Sequence, residues 1–86
     1  MYKLKFLGKA LEDIEKINRA QQKIIKEKLL ILTKNPEALK NNIKRLSGVK
    51  EDFYRLRVGS YRIIFKKEKE QLFILIIRIG HRLHLV

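Results

Sequence analysis

The chain has 86 residues, and its 21 lysines and arginines outnumber its 9 aspartates and glutamates, which gives a formal net charge of +12. This length predicts a single domain over residues 1–86, and a composition of 45% hydrophobic and 35% charged residues excludes a disordered chain. The absence of cysteine excludes disulfides and thiolate metal sites, and the longest apolar run, residues 72–77, is too short to span a bilayer.

The N-terminal residues contain no apolar run of signal-peptide length, so we expect a protein of the reducing cytoplasm. The excess positive charge favours a nucleic acid, an anionic membrane or an acidic protein as partner. The share of arginine among the basic residues rises along the chain, because only Arg19 of the seven arginines precedes residue 45. The planar guanidinium suits phosphate better than the lysine ammonium does. We therefore expect the anion site in the second half of the chain.

The first half predicts a strand and two helices. Apolar and polar residues alternate over residues 2–6, which is typical of a half-buried strand. Helical spacing of apolar residues predicts a helix over residues 9–18, with three acids near its N-terminal end, and a second helix over residues 20–34. Asn35-Pro36 ends the second helix. Residues 37–50 read as a connector with a possible helical turn.

The second half predicts strands at about residues 53–58, 61–67 and 72–79, with a charged hairpin loop at 67–70. The tail, residues 82–86, could add a short edge strand. This order of elements indicates an α+β domain in which an N-terminal strand and a two-helix hairpin pack on an antiparallel sheet of about four strands. The face of the sheet away from the helices is then free for solvent or a partner.

The hairpin at residues 53–65 concentrates arginines on one face. Gly59-Ser60 suits a two-residue type II′ turn, and that turn places Arg57 directly opposite Arg62, with Arg55 on the same face. Like charges facing each other destabilise a sheet, whereas a phosphate would turn the repulsion into charge-assisted hydrogen bonds. The plainer interpretation is that these arginines are ordinary solvated side chains.

The segments "NPEALK", "RLSG", "FYRLRVGSYRIIF" and "IRIGHRLHLV" together resemble the RelE/ParE superfamily of bacterial and archaeal toxins. The resemblance covers almost the whole chain and implies a RelE-like fold. RelE-like members are ribosome-dependent endoribonucleases that cut mRNA in the A site, and ParE-like members poison DNA gyrase. In both groups an antitoxin encoded beside the toxin neutralises it.

The resemblance also implies site residues. The basic cluster of RelE members falls on Arg55, Arg57, Arg62 and Arg82, although lysine is frequent in the family at the first two of these positions. We expect Arg62 and Arg82 to act in catalysis, and Arg45, Arg55 and Arg57 to bind RNA phosphates.

Proton transfer needs a different residue type, because arginine stays protonated near neutral pH. The tyrosine that ends the motif in many RelE members is missing near Val86, and His84 occupies a place where some relatives carry histidine. Histidine can move a proton near pH 7, so His84 is the first candidate for a general acid or base and His81 the second. No acid lies within the basic core, so we expect neither a metal site nor a cofactor.

The sequence thus predicts a toxin with an antitoxin, the ribosome and mRNA as partners, and without a membrane. Two alternatives stay open at this point. A ParE-like protein would inhibit gyrase without being an enzyme, and a basic RNA-binding module would be neither catalytic nor toxic.

Overall fold

The computed structural model describes residues 2–46 and 53–81. The predicted tail strand over residues 82–86 lies outside this part of the chain. The elements, in chain order, are β1 (Lys3–Phe6), α1 (Gly8–Glu15), α2 (Arg19–Lys34), a 3₁₀ segment (Pro36–Asn42), β2 (Ile43–Arg45), β3 (Phe53–Val58), β4 (Tyr61–Glu68) and β5 (Phe73–Gly80). No helix in the described residues is both long and apolar enough to cross a membrane.

The strands form one five-stranded sheet in the order β1-β5-β4-β3-β2. The α+β class is confirmed, but the expected antiparallel sheet of about four strands is wrong in two details. β2, within the predicted connector, adds a strand antiparallel to β3, and β1 pairs parallel with β5. Three residues are too few to show strand periodicity, and no local pattern identifies the partner of an N-terminal strand.

The hydrophobic core lies between the helices and one face of the sheet. Its buried side chains come from both helices and from alternate positions of β3, β4 and β5, among them Ala10, Ile14, Ile25, Leu29, Leu32, Leu56, Ile63, Phe65, Ile74, Ile76 and Ile79. In the second helix Ile25 is fully buried, whereas its neighbour Ile24 is 42% exposed, so Ile24 lies outside the face that packs on the core. The opposite face of the sheet, which we call the open face, carries neither helix.

The boundary between the helices follows from the capping residue. Asn18 precedes α2, and its side-chain oxygen accepts a hydrogen bond from the backbone N–H of Gln21 at 2.9 Å. An N-cap residue has extended backbone and satisfies a free N–H of the first turn. Asn18 therefore begins the second helix rather than ending the first, which stops at Glu15.

The β3–β4 turn has the predicted register, with Val58 paired to Tyr61 and Arg57 to Arg62. Gly59 has φ +59°, and Ser60 is not in the positive-φ region. Positive φ at the first central residue alone is the pattern of a type II′ turn. The turn therefore fixes which side chains of β3 and β4 face each other.

The end of β5 is held by a helix instead of a strand. β1 ends at Phe6, paired with Ile76, and among residues 2–46 and 53–81 no strand pairs with β5 beyond that point on that side. Asp13 of α1 takes over there: its Oδ2 accepts hydrogen bonds from the Ile79 backbone N–H at 2.9 Å and from Arg78 Nε at 2.8 Å, and its Oδ1 accepts one from Arg78 Nη2 at 3.2 Å. We call these three hydrogen bonds the Asp13 clamp.

The clamp changes the pKa of both partners. Burial by itself would raise the pKa of Asp13, but the hydrogen bonds from Arg78 and Ile79 and the charges of Arg78 and Lys16 bring that pKa below its ordinary value of 3.8. The hydrogen bond and charge of Asp13 raise the pKa of Arg78. Both groups are therefore ionised at neutral pH, and the ion pair is present under physiological conditions.

Two glycines give a matched test of the turn, since a Cβ added at Gly59 or at Gly8 would meet no atom within 4 Å. Only Gly59 has positive φ, and L-residues cost roughly 1–2 kcal/mol there. We expect Gly59→Ala to destabilise the protein by about that amount, whereas Gly8→Ala should stabilise it by about 0.4–1 kcal/mol. Urea unfolding measures both values, and equal shifts for the two variants would contradict the turn assignment.

The Asp13 clamp predicts a pH-dependent stability difference. Because the folded-state pKa of Asp13 is lowered, the carboxylate adds stability that is complete above pH 3.8 and is lost as the pH falls through the folded-state pKa. We expect Asp13→Asn to lower the free energy of unfolding by about 1–2 kcal/mol at neutral pH. This value is near the low end for charged hydrogen bonds because the Arg78 side chain is 41% exposed, so solvent screens the pair.

The measurement is urea unfolding of the wild type and Asp13→Asn over the acidic range. The difference in unfolding free energy should disappear at low pH, where the wild-type carboxyl is protonated. Glu15→Gln, a change to an exposed acid of the same helix, is the control and should show no such convergence. A difference that stays constant at every pH would refute the charge-based account.

Candidate anion-binding site

Residues that pair across neighbouring strands form rows on the open face, and the row beside the β3–β4 turn contains two arginines. Arg57 of β3 pairs with Arg62 of β4, and Arg62 pairs with Gly80 of β5. Directly paired residues share a face of the sheet, with Cα atoms about 4.5–5.5 Å apart. Gly80 contributes no side chain on the β5 side of Arg62. Arg57 is exposed and Arg62 half-buried, and both guanidiniums are within reach of a ligand lying on the sheet.

The second row brings a third arginine next to the first two. Here Lys44 of β2 pairs with Arg55 of β3, which pairs with Ile64 of β4, and Ile64 pairs with Arg78 of β5. The Nε of Arg55 is buried and has no hydrogen-bond partner among the described residues. A buried donor without an acceptor costs free energy, about 1–3 kcal/mol. An anion that reached this nitrogen would remove that cost.

A polar groove runs along the β2 side of these rows. Its walls are formed by Asn41, Asn42, Lys44, Arg55 and Arg57. The asparagine amides can both donate and accept hydrogen bonds, whereas the three cations can only donate. A groove of this composition suits a phosphate flanked by neutral polar groups, as in a nucleotide chain.

The acid of the open face lies far from the arginines. Among the described strand residues, Glu68 is the single acid on this face, and it forms an ion pair with Lys66 at 2.9 Å. Glu68 lies six positions along β4 from Arg62, which corresponds to about 20 Å. Within the described strands, the positive charge of Arg55, Arg57 and Arg62 is therefore not neutralised by an acid of this face.

The predicted site residues are brought together only in part. Arg55, Arg57 and Arg62 share the open face, and we call these three residues the arginine face. Arg45 pairs with Tyr54, whose ring stacks on Phe65 of the core, so its position belongs to the helix side of the sheet. Lys44, one residue earlier, pairs with Arg55 on the open face. The expected binding of phosphate by Arg45 stays a prediction.

The histidine candidates do not join the arginine face within the described residues. The ring of His81 contacts the ring of Tyr61, with centroids 4.2 Å apart and planes at 39°, and Tyr61 packs against the core. His81 therefore lies on the helix side of the sheet rim. Arg82 and His84 lie outside the described residues, and their roles stay predictions.

Two features of the site do not follow from the sequence, the β2 edge and the Asp13–Arg78 pair. Asn41, Asn42 and Lys44 fall in the predicted connector, and the three residues of β2 are too few to show a strand pattern. Asp13 was read as an acid that favours a helix N-terminus. Its partner Arg78 is 65 positions away, and no local spacing indicates that pairing.

Comparison with known proteins gives a family for the chain. A family model described as the ParE toxin of the type II toxin–antitoxin system parDE matches residues 4–85. Sequence comparison with curated proteins finds no match.

Solved structures show the same fold. The chain is similar to a chain of the archaeal RelE–RelB complex from Pyrococcus horikoshii OT3, with 23% identity, 98% of each chain covered and a TM-score of 0.80. For the intact E. coli RelBE toxin–antitoxin complex the identity is 24%, the coverage 98% of this chain and 100% of that chain, and the TM-score 0.79. For the RelB–RelE antitoxin–toxin complex from Methanococcus jannaschii the identity is 26%, the coverage 91% of this chain and 90% of that chain, and the TM-score 0.72.

The family match spans nearly the whole chain, and the solved structures share its strand–helix–helix–sheet architecture. The chain belongs to the ParE toxin family, within the RelE/ParE superfamily of type II toxin–antitoxin toxins.

Proposed function

We propose that this toxin is a ribosome-dependent endoribonuclease that cleaves mRNA in the A site. The observation that supports the proposal is the arginine face: three arginines on the helix-free side of the sheet, with no neighbouring acid on that face among the described residues. The buried, unpartnered Nε of Arg55 adds a donor that an anion would satisfy. RNA phosphate is the ligand that this arrangement fits best.

The chemistry assigns the arginines to charge stabilisation. Cleavage of RNA by its own 2′-OH needs removal of the hydroxyl proton, stabilisation of negative charge on the phosphate, and protonation of the 5′ leaving oxygen. Arg62 lies between Arg57 and the gap at Gly80, and is the central candidate for the second task. Arg55 and Arg57, with Lys44, then hold the flanking phosphates.

Proton transfer falls to another group, since arginine cannot accept a proton near neutral pH. His84 is proposed as that group, with Arg82 as a further phosphate contact. His81 is the weaker candidate, because its ring lies against Tyr61 on the helix side of the sheet rim. No metal and no cofactor enter this mechanism.

A second function has its own support. The matching family model describes ParE toxins, and the resemblance stated above associates ParE-like members with DNA gyrase. In that case the arginine face would contact a protein or DNA in an inhibitory complex, and no proton-transfer group would be needed.

An antitoxin is the proposed protein partner in either case. Three of the similar solved structures are toxin–antitoxin complexes, and the net charge of +12 favours a partner with an acidic segment that covers the arginine face. Association of such a pair is fast and weakens with salt. The proposal places the toxin, its antitoxin and the ribosome in the cytoplasm.

Loss of one arginine from the face should weaken RNA binding without unfolding the protein. Each phosphate contact with a single strand contributes roughly 0.7 to the slope of log affinity against log salt. We expect Arg57→Ala and Arg62→Ala each to reduce that slope by about this amount and to reduce toxicity on induction. The melting temperature should stay the same or rise slightly, because an opposed like charge is removed.

Arg19→Ala is the matched control, since Arg19 is an exposed arginine of α2 and its loss changes the net charge equally. It should leave the salt slope and the toxicity unchanged. The anion-site assignment fails if the Arg57 and Arg62 variants unfold, or if both bind RNA with the wild-type slope and remain fully toxic.

The position of RNA cuts distinguishes the two functions. We expect mRNA 5′-end mapping after induction to show cuts inside translated codons, and Arg62→Ala to abolish them, because the proposed enzyme acts in the ribosomal A site. A DNA supercoiling assay with gyrase is run in parallel. Inhibition of supercoiling without codon cuts would replace the nuclease proposal with the gyrase function. If neither codon cuts nor inhibition of supercoiling is observed, the remaining function is that of a non-catalytic RNA-binding module.

A further inference from the structure

We propose that Asp13 determines which arginines form the anion site: it removes Arg78 from the arginine face and positions the end of β5 beside Arg62. In this role Asp13 is a positioning residue, since it acts through Arg78 and the β5 backbone. The part of the proposal that concerns RNA rests on the proposed function, and the part that concerns β5 does not.

The sheet register gives Arg78 a place on the open face. It pairs with Ile64, which has Arg55 on its other side, and it lies two residues before Gly80, the partner of Arg62. Diagonal neighbours of this kind are about 7–8 Å apart. An uncommitted Arg78 would therefore be a fourth guanidinium within reach of the same phosphates.

The Asp13 clamp prevents this. Both Arg78 Nε and Nη2 donate to the Asp13 carboxylate, at 2.8 and 3.2 Å, so one whole edge of the guanidinium is bound to α1 at the rim of the sheet. The Asp13 side chain is only 13% exposed, and its negative charge neutralises Arg78. The remaining cations on this part of the face, Arg55, Arg57 and Arg62, keep their donors for a ligand.

The same carboxylate fixes the backbone at the end of β5. The pairs Ile64–Arg78 and Phe65–Ile76 skip Ile77, so β5 carries one extra residue at this point. An extra residue locally disrupts the ladder of hydrogen bonds, and β1 has already ended at Phe6. On the side of β5 where β1 has ended, the Ile79 N–H donates a hydrogen bond of 2.9 Å to Asp13 Oδ2, so this backbone donor has an acceptor. Gly80 then follows directly and lies opposite Arg62.

The RNA arm of the test measures the salt dependence of binding to fluorescein-labelled poly(U). In Asp13→Ala, the released Arg78 can contact phosphate, so we expect the slope of log affinity against log salt to become steeper by roughly 0.7. The double variant Asp13→Ala/Arg78→Ala should return to the wild-type slope. A loss of structure alone would not make the slope steeper and then restore it, and an unchanged slope in Asp13→Ala would overturn this part of the proposal.

The backbone arm measures amide hydrogen exchange and needs no RNA. We expect Asp13→Ala to speed exchange at Ile79 by about tenfold or more, with little change at Ile63, a residue of β4 that lies in the sheet centre between β3 and β5. Glu15→Ala, the same charge change on the exposed side of α1, should alter neither amide. Unchanged exchange at Ile79 would overturn the positioning role whether or not the protein binds RNA.

A replacement variant and the binding result for the wild type keep the outcomes of the two arms separate. If Asp13→Ala does not fold, Asp13→Asn replaces it: its amide oxygen can still accept from Ile79 N–H, so exchange there should change less while the salt slope still becomes steeper. If the wild type binds no poly(U), the role of Asp13 in selecting arginines fails, whereas fast exchange in Asp13→Ala would still support the positioning of β5. The proposed function fails separately, if induction produces no cuts inside translated codons.

Discussion

The pairing of Arg57 with Arg62 is the constraint on which the candidate site depends. The two residues face each other because Gly59 and Ser60 form a two-residue turn and because Leu56, Val58 and Ile63 must face the core. A slip of one residue in either strand would put arginines in the core and leucine or isoleucine in water. The cost of that slip is far larger than the repulsion between the two guanidiniums, about 1 kcal/mol or less. The core therefore enforces the like-charge pair.

The same alternation makes the sheet a platform with two chemically different faces. One face takes its stability from α1 and α2, so the other is not needed for the core and can carry charge. The sheet ends differently on its two sides: β2 adds an edge with Lys44 and two asparagines, whereas on the β1 side Asp13 neutralises Arg78. The free guanidiniums are thus concentrated on β3 and β4, whereas the β1 edge contributes the exposed lysines Lys3 and Lys5. A ligand that needs bidentate hydrogen bonds would be drawn to the β3–β4 half of the face.

The sequence predicted the elements that have a period of their own. Both helices, the N-terminal strand and the three later strands follow from apolar spacing, and the register of Arg57 and Arg62 follows from one glycine in a short turn. The parallel pairing of β1 with β5 and the Asp13–Arg78 ion pair depend on contacts between distant parts of the chain, which local spacing does not encode. Arg45 shows the limit most clearly. The three residues of β2 are too few to predict which face of the sheet each side chain occupies, and it is Lys44, not Arg45, that lies on the open face.

Binding and cleavage place different demands on this architecture. Phosphate recognition needs guanidiniums held at fixed spacing, which β3 and β4 supply from the rigid centre of the sheet. Proton transfer needs a group that titrates near neutral pH, and the open face of the described strands carries arginines, lysines and one glutamate instead. In the proposed function, the arginines of the sheet therefore supply affinity and charge stabilisation, and a different group must transfer the proton. Loss of that group alone would remove cleavage and leave the arginine face in place.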